Sequence, residues 1–249
     1  MISVIYILWL RQLKRYFRSK SRIVGALGQP LLYMLALGFG LGPVFAKAGN
    51  GNYLQFLVPG VIAQSILFTS IFAGIEVIWD KQFGFLKETL VAPVSRFEIM
   101  LGRVLGGTTV ATLQGTIVLG ISYLLGFRAH NIVLLPTVIL IMALIALLFT
   151  SLGTAIASML DDMQGFQLIM NFLVLPLYFL SGALFPLKGI PQFLKIITSF
   201  DPLTYGVDAL RTLLIGTSQL SLSLDILVLG TLAGLLLAIG SYLFSKIQI

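Results

Sequence analysis

Residues 131–160 read NIVLLPTVILIMALIALLFTSLGTAIASML, a run that contains no Asp, Glu, Lys or Arg. An α-helix rises about 1.5 Å per residue, so a run of this length is long enough to cross the roughly 30 Å hydrocarbon core of a bilayer. The sequence therefore predicts a transmembrane helix over residues 132–159.

The composition of the whole chain agrees with a membrane location. The chain has 249 residues, of which 58% are hydrophobic and 10% charged, and its mean hydropathy is +1.02. A water-soluble domain has about 25% charged residues, and one this apolar would leave large hydrophobic patches exposed. The chain has no Cys, which excludes a disulfide framework, a thiolate metal site and a Cys nucleophile.

Similar uncharged runs recur along the chain and predict an all-α integral membrane fold, a single domain over residues 1–249. We expect six transmembrane helices, near residues 23–45, 55–79, 99–126, 132–159, 164–187 and 224–245. An even number of spans places both termini on the same side. Lys and Arg are most frequent before the first span and after the second, so the positive-inside rule places the termini in the cytoplasm. The net charge of +7 is then a topology signal, and we expect no nucleic-acid partner.

The first residues predict an amphipathic helix over residues 3–22 that lies in the membrane interface. Trp9, Leu13, Tyr16 and Phe17 share one face, and the other face carries Arg11, Arg15, Arg18 and Arg22. Such a helix directs its rings toward the acyl chains and its guanidinium groups toward anionic headgroups. It anchors the first span, contacts a partner, or does both.

The segment between spans two and three predicts a short cytoplasmic helix near residues 80–92, with the sequence DKQFGFLKETLVA. Phe83, Leu86 and Leu90 fall at i, i+3 and i+7 and form an apolar stripe. Pro93 ends this helix, and Ser95 with Glu98 forms a capping box that starts the next one. A helix so delimited is either a rigid lever or an ordinary interfacial loop.

The segment before the last span predicts two short external helices near residues 190–216. Pro191 starts the first, and Asp201 caps the second, with Pro202 in its first turn and its end near Gly216. We expect both to dip into the outer leaflet. They line or close an exit, or they pack against the bundle.

Four motifs make the chain similar to the permease family of ABC-2-type exporters, in particular to its daunorubicin-resistance-like and nodulation-factor-like branch. They are FGFLKETLVAPVSR at 83–96, LGR at 101–103, FLSGALFP at 179–186 and DPLTYGVDALR at 201–211. The resemblance implies a half-transporter in a prokaryotic cell membrane. A second copy or a homologue completes the pathway, and two separate ABC ATPase subunits bind the ATP and Mg.

The resemblance also implies roles for particular residues. The coupling helix to the ATPase would comprise Phe83, Gly84, Phe85, Leu86, Lys87, Glu88 and Thr89. The external gate would include Phe185, Pro186, Asp201, Pro202, Tyr205, Asp208 and Arg211. Many relatives have Asn in place of Asp201, and because both residues cap helices the capping prediction is unchanged.

The remaining polar residues predict little chemistry of the chain's own. It has no Gly-x-x-x-x-Gly-Lys-Ser/Thr phosphate loop and a single histidine, His130. Asp161 and Asp162 lie in a cytoplasmic turn, where they are solvated or provide a second ATPase contact rather than acid–base catalysis. Glu76, at the inner end of span two, either faces a cavity or partner or, as we expect, reaches toward water.

We therefore expect no catalytic, cofactor-binding or metal-binding residue in this chain. The few ionisable groups within the spans argue against a proton- or sodium-driven carrier. The predicted function is that of the permease subunit of an ATP-driven exporter of a hydrophobic or amphipathic compound, a lipid or a lipid-linked glycan. The alternatives are an integral-membrane enzyme that acts on a lipid substrate and, less favoured, a passive channel.

Overall fold

The computed structural model describes residues 2–47, 51–86, 89, 93–187 and 189–247, and every regular element in these ranges is helical. Six helices in them are long and apolar enough to cross a membrane, as predicted. They are Lys20–Phe39, Tyr53–Gln82, Arg96–Leu124, Ile132–Met159, Met163–Leu180 and Leu222–Ser245.

The individual elements follow the chain in this order: α1 Ile2–Arg18, α2 Lys20–Leu32 with a π-helical continuation Tyr33–Phe39, α3 Gly42–Lys47, α4 Tyr53–Phe72, α5 Ile75–Gln82, α6 Arg96–Leu124, a 3₁₀ turn Ile132–Leu134, α7 Leu135–Met159, α8 Met163–Leu180, α9 Gln192–Phe200, α10 Pro202–Ile215 and α11 Leu222–Ser245. Three spans comprise two elements each: span one is α2 with its π-helical continuation, span two is α4 with α5, and span four is the 3₁₀ turn with α7.

Proline changes the first span in a way that the sequence did not specify. Pro30 lies inside α2, and the chain continues past it as a helix that widens to π-helical turns from Tyr33. A proline has no N–H to donate to the preceding turn, and the helix can accommodate that loss by changing its hydrogen-bond register. The second proline within a span, Pro176, lies in an uninterrupted α8.

Helix α4 is the centre of the bundle. Leu57, Ile62 and Ile66 are fully buried, and α4 packs against α6, α7 and α10. A helix that is apolar all round is stable only when neighbours or lipid surround it. The outer helices α2, α8 and α11 instead expose apolar side chains such as Leu32, Phe172 and Leu227, as lipid-facing helices do.

Both ends of the described chain lie on one side of the bundle. Helix α1 packs against α6. The end of α11 lies beside the start of α6, because the Arg96 guanidinium donates to the carbonyls of Ser245 and Ile247 at 2.7 and 2.8 Å. The same end of α6 is preceded by the capping box of Ser95 and Glu98, which the structure contains as predicted.

The backbone of α7 touches the junction of α4 and α5 at two glycines. A Cβ added at Gly74 would collide with the backbone of Gly153, and one added at Gly153 would collide with the backbone of Ile71. Close backbone approach at small residues is a usual way for membrane helices to pack. This contact determines where α5 leaves the bundle, and α5 carries the acidic side chains of the site described below.

Replacing Gly153 with alanine is expected to destabilise the protein by about 1–3 kcal/mol, since the added methyl group forces two backbones apart. Thermal unfolding in detergent measures the effect. Gly120→Ala in α6 is the matched control, because a Cβ there has open space around it and alanine favours the helix. Equal melting temperatures for the two variants would contradict the close contact.

Candidate functional site

Helix α1 is attached to α6 through polar side chains. Trp9 Nε1 donates to Thr109 Oγ1 at 3.0 Å, and the Tyr16 hydroxyl donates to Gln114 Oε1 at 2.6 Å. The prediction that this aromatic face points to the acyl chains is therefore wrong for Trp9 and Tyr16, although Phe17 is exposed. The physical reason is that polar groups inside a membrane bundle need partners, and Thr109 and Gln114 find them on α1.

The carboxylate of Asp80, on α5, is shared by two arginines. Arg11 of α1 binds it with Nη2–Oδ1 and Nη1–Oδ2 distances of 3.1 and 3.4 Å, and Arg103 of α6 binds the same group. Asp80 and Arg103 are only 6% and 5% exposed. These three residues, here called the Asp80 cluster, join α1, α5 and α6 at one point.

Glu76, one turn before Asp80, also pairs with arginines. Its carboxylate lies 3.5 Å from Arg15 and 3.3 Å from Arg22, and the residue is 5% exposed. The expectation that Glu76 reaches toward water is wrong, because α1 and the start of α2, which are distant in the chain, place Arg15 and Arg22 beside it. Three of the four N-terminal arginines, Arg11, Arg15 and Arg22, therefore bind carboxylates of this chain rather than lipid headgroups alone.

The segment after α5 differs from the single helix predicted over residues 80–92. Helix α5 ends at Gln82, and Gly84 has a φ of +77°, a left-handed conformation that favours glycine. Phe83 is 80% exposed whereas Leu86 is buried, so the two do not form one apolar stripe. The stripe fails because the break at Gly84 places them on different elements.

Part of this segment is fixed in place and part lies outside the described residues. The Arg11 guanidinium stacks over the Phe85 ring at 3.8 Å, and Thr89 Oγ1 donates to the Phe85 carbonyl at 2.9 Å. The predicted coupling residues Lys87 and Glu88, and the third stripe residue Leu90, lie outside the described residues.

The turn between α7 and α8 is bound to the end of α5. The Lys81 ammonium donates to the carbonyls of Ser158 and Leu160 at 2.9 and 3.0 Å and pairs with Asp161 at 3.1 Å. Asp162 instead caps α8, because its carboxylate accepts from the Gln164 and Gly165 N–H groups. The two acids thus face different partners, an arrangement that does not resemble an acid–base pair.

We call the surface formed by Phe83, Phe85, Lys81 and Asp161 the α5 surface. It is exposed at Phe83 and Asp161. The Asp80 cluster supports it, because Arg11 binds Asp80 and stacks over Phe85. Sequence reasoning missed Arg11 and Arg103 as positioning residues. A signal was present in Arg103, a charged residue within the predicted third span, since such a residue requires a partner.

The opposite side of the bundle contains α9 and α10, which begin where the sequence predicted, and α10 also ends near Gly216 as predicted. Pro191 precedes α9, Asp201 Oδ1 accepts from the Leu203 N–H at 2.8 Å, Pro202 is the first residue of α10, and Gly216 follows its end. The Tyr205 hydroxyl donates to the Ser199 carbonyl at 2.8 Å and connects the two helices.

Asp201 has an unusual environment for a capping carboxylate. It is 5% exposed, and its second oxygen, Oδ2, has no hydrogen-bond partner among the described residues. Burial raises the pKa of Asp201 to about 7, against the opposing effect of the Leu203 N–H. This group therefore changes its charge near neutral pH.

Arg211 connects α10 to spans two and five. Its Nη2 donates to the Gly182 carbonyl at 3.1 Å, and its guanidinium lies 4.0 Å from the centre of the Phe56 ring. Burial lowers the pKa of Arg211 to about 10, so it remains a cation at neutral pH. Asp208 instead accepts from the Gln219 and Leu220 N–H groups at the entrance to α11.

The predicted gate residues are therefore partly assembled. Arg211 connects the 201–211 motif to the 179–186 motif through the Gly182 carbonyl. Tyr53 of α4 also contacts the 179–186 motif, since its hydroxyl donates to the Leu184 carbonyl at 2.8 Å. Phe185 is 40% exposed and Pro186 is half-buried at the same end of the bundle.

This arrangement defines a multi-pass membrane protein with two polar connecting regions, one at each end of the bundle. Residues 3–215 match the model of the ABC-2 type transporter family. The chain belongs to that family, and it is a permease subunit of an ABC transporter, the kind of transport subunit that works with ATPase subunits.

Known relatives agree with this assignment. The chain is 29% identical to nodulation protein J of Rhizobium leguminosarum bv. viciae over 228 residues. This alignment covers 89% of this chain and 87% of that protein. It is 30% identical over 225 residues to a transport permease called ycf38 from Pyropia yezoensis, which covers 86% and 74% of the two chains. The ycf38 permease of Cyanophora paradoxa is 28% identical over 215 residues, 85% of this chain and 74% of that one. The predicted resemblance is confirmed.

Proposed function

We propose that this chain is one half of an ATP-driven exporter of a hydrophobic or amphipathic compound, a lipid or a lipid-linked glycan. It works with a second copy or a homologue and with two separate ABC ATPase subunits that bind ATP and Mg. The whole chain is one transmembrane domain of a prokaryotic cell membrane with both termini in the cytoplasm. The ATPase docks on the α5 surface, through Phe83–Thr89 and Asp161, with Asp162 beside it.

The observation that carries this proposal is the exposure of Phe83 between two residues that are held in place, Lys81 and Phe85. A phenyl ring that is 80% exposed outside the lipid-spanning helices is a natural anchor for a pocket on a partner, where aromatic residues often supply most of the binding energy. The neighbouring Phe85 is fixed by Arg11, and Lys81 is fixed by the end of α7. A partner that binds Phe83 therefore acts on the end of α5, whose neighbouring side chains are already held in place.

The contacts of α5 indicate which helices would move when the docked ATPase moves. The Asp80 cluster connects α5 to α1 and α6, Lys81 connects it to α7, and the Gly74–Gly153 contact connects its start to α7 again. Motion of the docked ATPase would move these helices together rather than bend a loop. Nucleotide changes the conformation only if it binds the two states unequally.

The proposed cargo class is supported by the apolar surfaces that the spans expose. The ionisable residues Glu76 and Arg103 are engaged in ion pairs on the α1 side, whereas α2 and α8 present exposed apolar faces that include Leu32 and Phe172. Such faces suit a second copy, lipid and an amphipathic cargo. The region around Phe185, Pro186 and Asp201–Arg211 then serves as the external gate.

The test is Phe83→Asp in the tagged full-length chain, purified from its own host in mild detergent. The wild-type chain is expected to bring with it an ABC ATPase in a one-to-one ratio, with vanadate-sensitive ATP hydrolysis. We expect Phe83→Asp to lose at least 90% of both, because a charge cannot enter an apolar pocket without a large desolvation cost.

The matched control is Phe193→Asp, which alters an exposed aromatic residue of α9 on the opposite side and is expected to keep the ATPase bound. Wild-type chain that purifies without any ATPase would overturn the proposed function. Equal retention by both variants would remove the α5 surface as the docking site.

A further inference from the structure

A large cavity lies between α1, the start of α2 and the end of α5. Its volume is about 1200 Å³, and Lys14, Arg15, Arg18 and Lys20 line it together with Leu10 and Trp79. Arg11, Asp80 and Phe83 line it as well, so the cavity borders the α5 surface. The cavity therefore combines a strongly basic lining with apolar surface.

The acids described near the cavity do not neutralise all of its positive charge. Glu76 is paired with Arg15 and Arg22, and Asp80 with Arg11 and Arg103. In the described part of the chain Lys14 and Arg18 form no ion pair, and both are exposed. Because the two nearby carboxylates are each shared by two arginines, an anion from outside the chain is the natural counter-ion for Lys14 and Arg18.

The start of α2 adds further attraction for an anion. Ser19 and Ser21 line the cavity on either side of Lys20, and the Ser19 side chain does not cap the first turn of α2. The N–H groups of a helix N-terminus and its dipole favour a negative group. They add to the charges of Lys14 and Arg18, which line the same cavity.

The apolar wall and the position of the cavity select the kind of anion. Ile7, which is 61% exposed, and Leu10 line the cavity, and so does Lys20, the first residue of span one. The Arg15 guanidinium lies 4.9 Å from the centre of the Trp79 ring. A phosphate with hydrocarbon attached satisfies both the basic and the apolar lining, whereas a free inorganic anion satisfies only the first.

We propose that this cavity binds the phosphate headgroup of one anionic lipid from the leaflet on the α1 side of the membrane. This binding site goes beyond the proposed export function: it borders the α5 surface at Phe83, but the basic residues that hold the headgroup require neither cargo nor ATPase. A headgroup held by Lys14, Arg18 and the start of α2 would fix the angle between α1 and α2. Because Arg11 and Arg15 project from the same α1, the lipid would also steady the α5 surface.

The test is titration of the detergent-purified full-length chain with phosphatidylglycerol, phosphatidylcholine or inorganic phosphate, followed by native mass spectrometry. We expect one tight, saturable phosphatidylglycerol site and at least tenfold weaker binding of phosphatidylcholine. Lys14→Gln combined with Arg18→Gln is expected to weaken phosphatidylglycerol binding about 30-fold, since each basic residue near an anionic surface contributes about a factor of five. The charge-preserving pair Lys14→Arg and Arg18→Lys should restore most of it.

Lys47→Gln combined with Lys195→Gln is the matched control, because it removes the same charge elsewhere and should leave the tight site intact. Melting temperatures are expected to be equal for all double variants, since none of these four residues forms an ion pair within the described residues. Equal affinity for the two lipids, or unchanged affinity in the Gln pair, would overturn the proposal. Displacement of the lipid by equimolar phosphate would assign the site to a soluble anion and would also overturn it.

Discussion

Replacing Asp80 with alanine is expected to lower the free energy of unfolding by about 3–5 kcal/mol, because it leaves Arg103 buried without a counter-ion. Arg103 is only 5% exposed, and Asp80 is the one acidic residue that pairs with it within the described residues. Denaturation of the purified chain in detergent, followed by the loss of helical circular dichroism, measures the change. The variant should also weaken attachment of α1, which Arg11 binds to the same carboxylate.

Two further variants separate this effect from a general sensitivity to lost charge. Asp161→Ala removes a carboxylate that is 91% exposed and paired with Lys81, and exposed pairs contribute little, so its stability should match that of the wild type. Asp80→Ala with Arg103→Met removes both charges of the buried pair and is expected to recover most of the loss. If Asp80→Ala and Asp161→Ala were equally stable, the Asp80 cluster would not be the structural connection described here.

Replacing Asp201 with asparagine is expected to stabilise the protein at neutral and alkaline pH and to have almost no effect in acid. Burial raises the pKa of Asp201 from 3.8 to about 7, so the folded chain holds this proton more tightly than the unfolded chain. The associated stability is complete below about pH 4 and is lost as the pH rises to about 7. One pKa unit corresponds to about 1.4 kcal/mol, so the gain above pH 7 is at most about 4 kcal/mol.

Asparagine is suitable for this test because it still caps α10 through its side-chain oxygen. Melting temperatures of both proteins in detergent, measured from pH 4 to pH 8, should converge at the acid end and separate toward pH 8. Asp162→Asn is the matched control, since it changes an exposed capping carboxylate that water already solvates. A constant difference between Asp201→Asn and wild type at every pH would show that the carboxylate is not the cause.

The features that the sequence predicted well depend on short stretches of chain. The six spans follow from uncharged runs, because a bilayer imposes length and apolarity on each helix separately. The capping box of Ser95 and Glu98 and the cap at Asp201 were also predicted, since a cap involves residues only two or three positions apart.

The less successful predictions concern side chains whose partners are distant in the chain. The stripe of Phe83 and Leu86 assumed an unbroken helix, whereas Gly84 interrupts it. Glu76 was expected to reach toward water, yet Arg15 and Arg22 bind it from helices more than fifty residues earlier. Periodicity describes one face of one helix and does not specify which neighbour will cover it.

By itself, the sequence determined that this protein crosses the membrane six times, where its short helices begin, and to which transporter family it belongs, because these properties depend on local hydropathy, capping and motifs. Only the tertiary structure decided that α1 packs against α6, that Asp80 connects three helices, and that Phe83 is exposed while Leu86 is buried. The physical reason is that ion pairing and burial depend on the distance between side chains in space, and helix packing, rather than chain order, sets that distance.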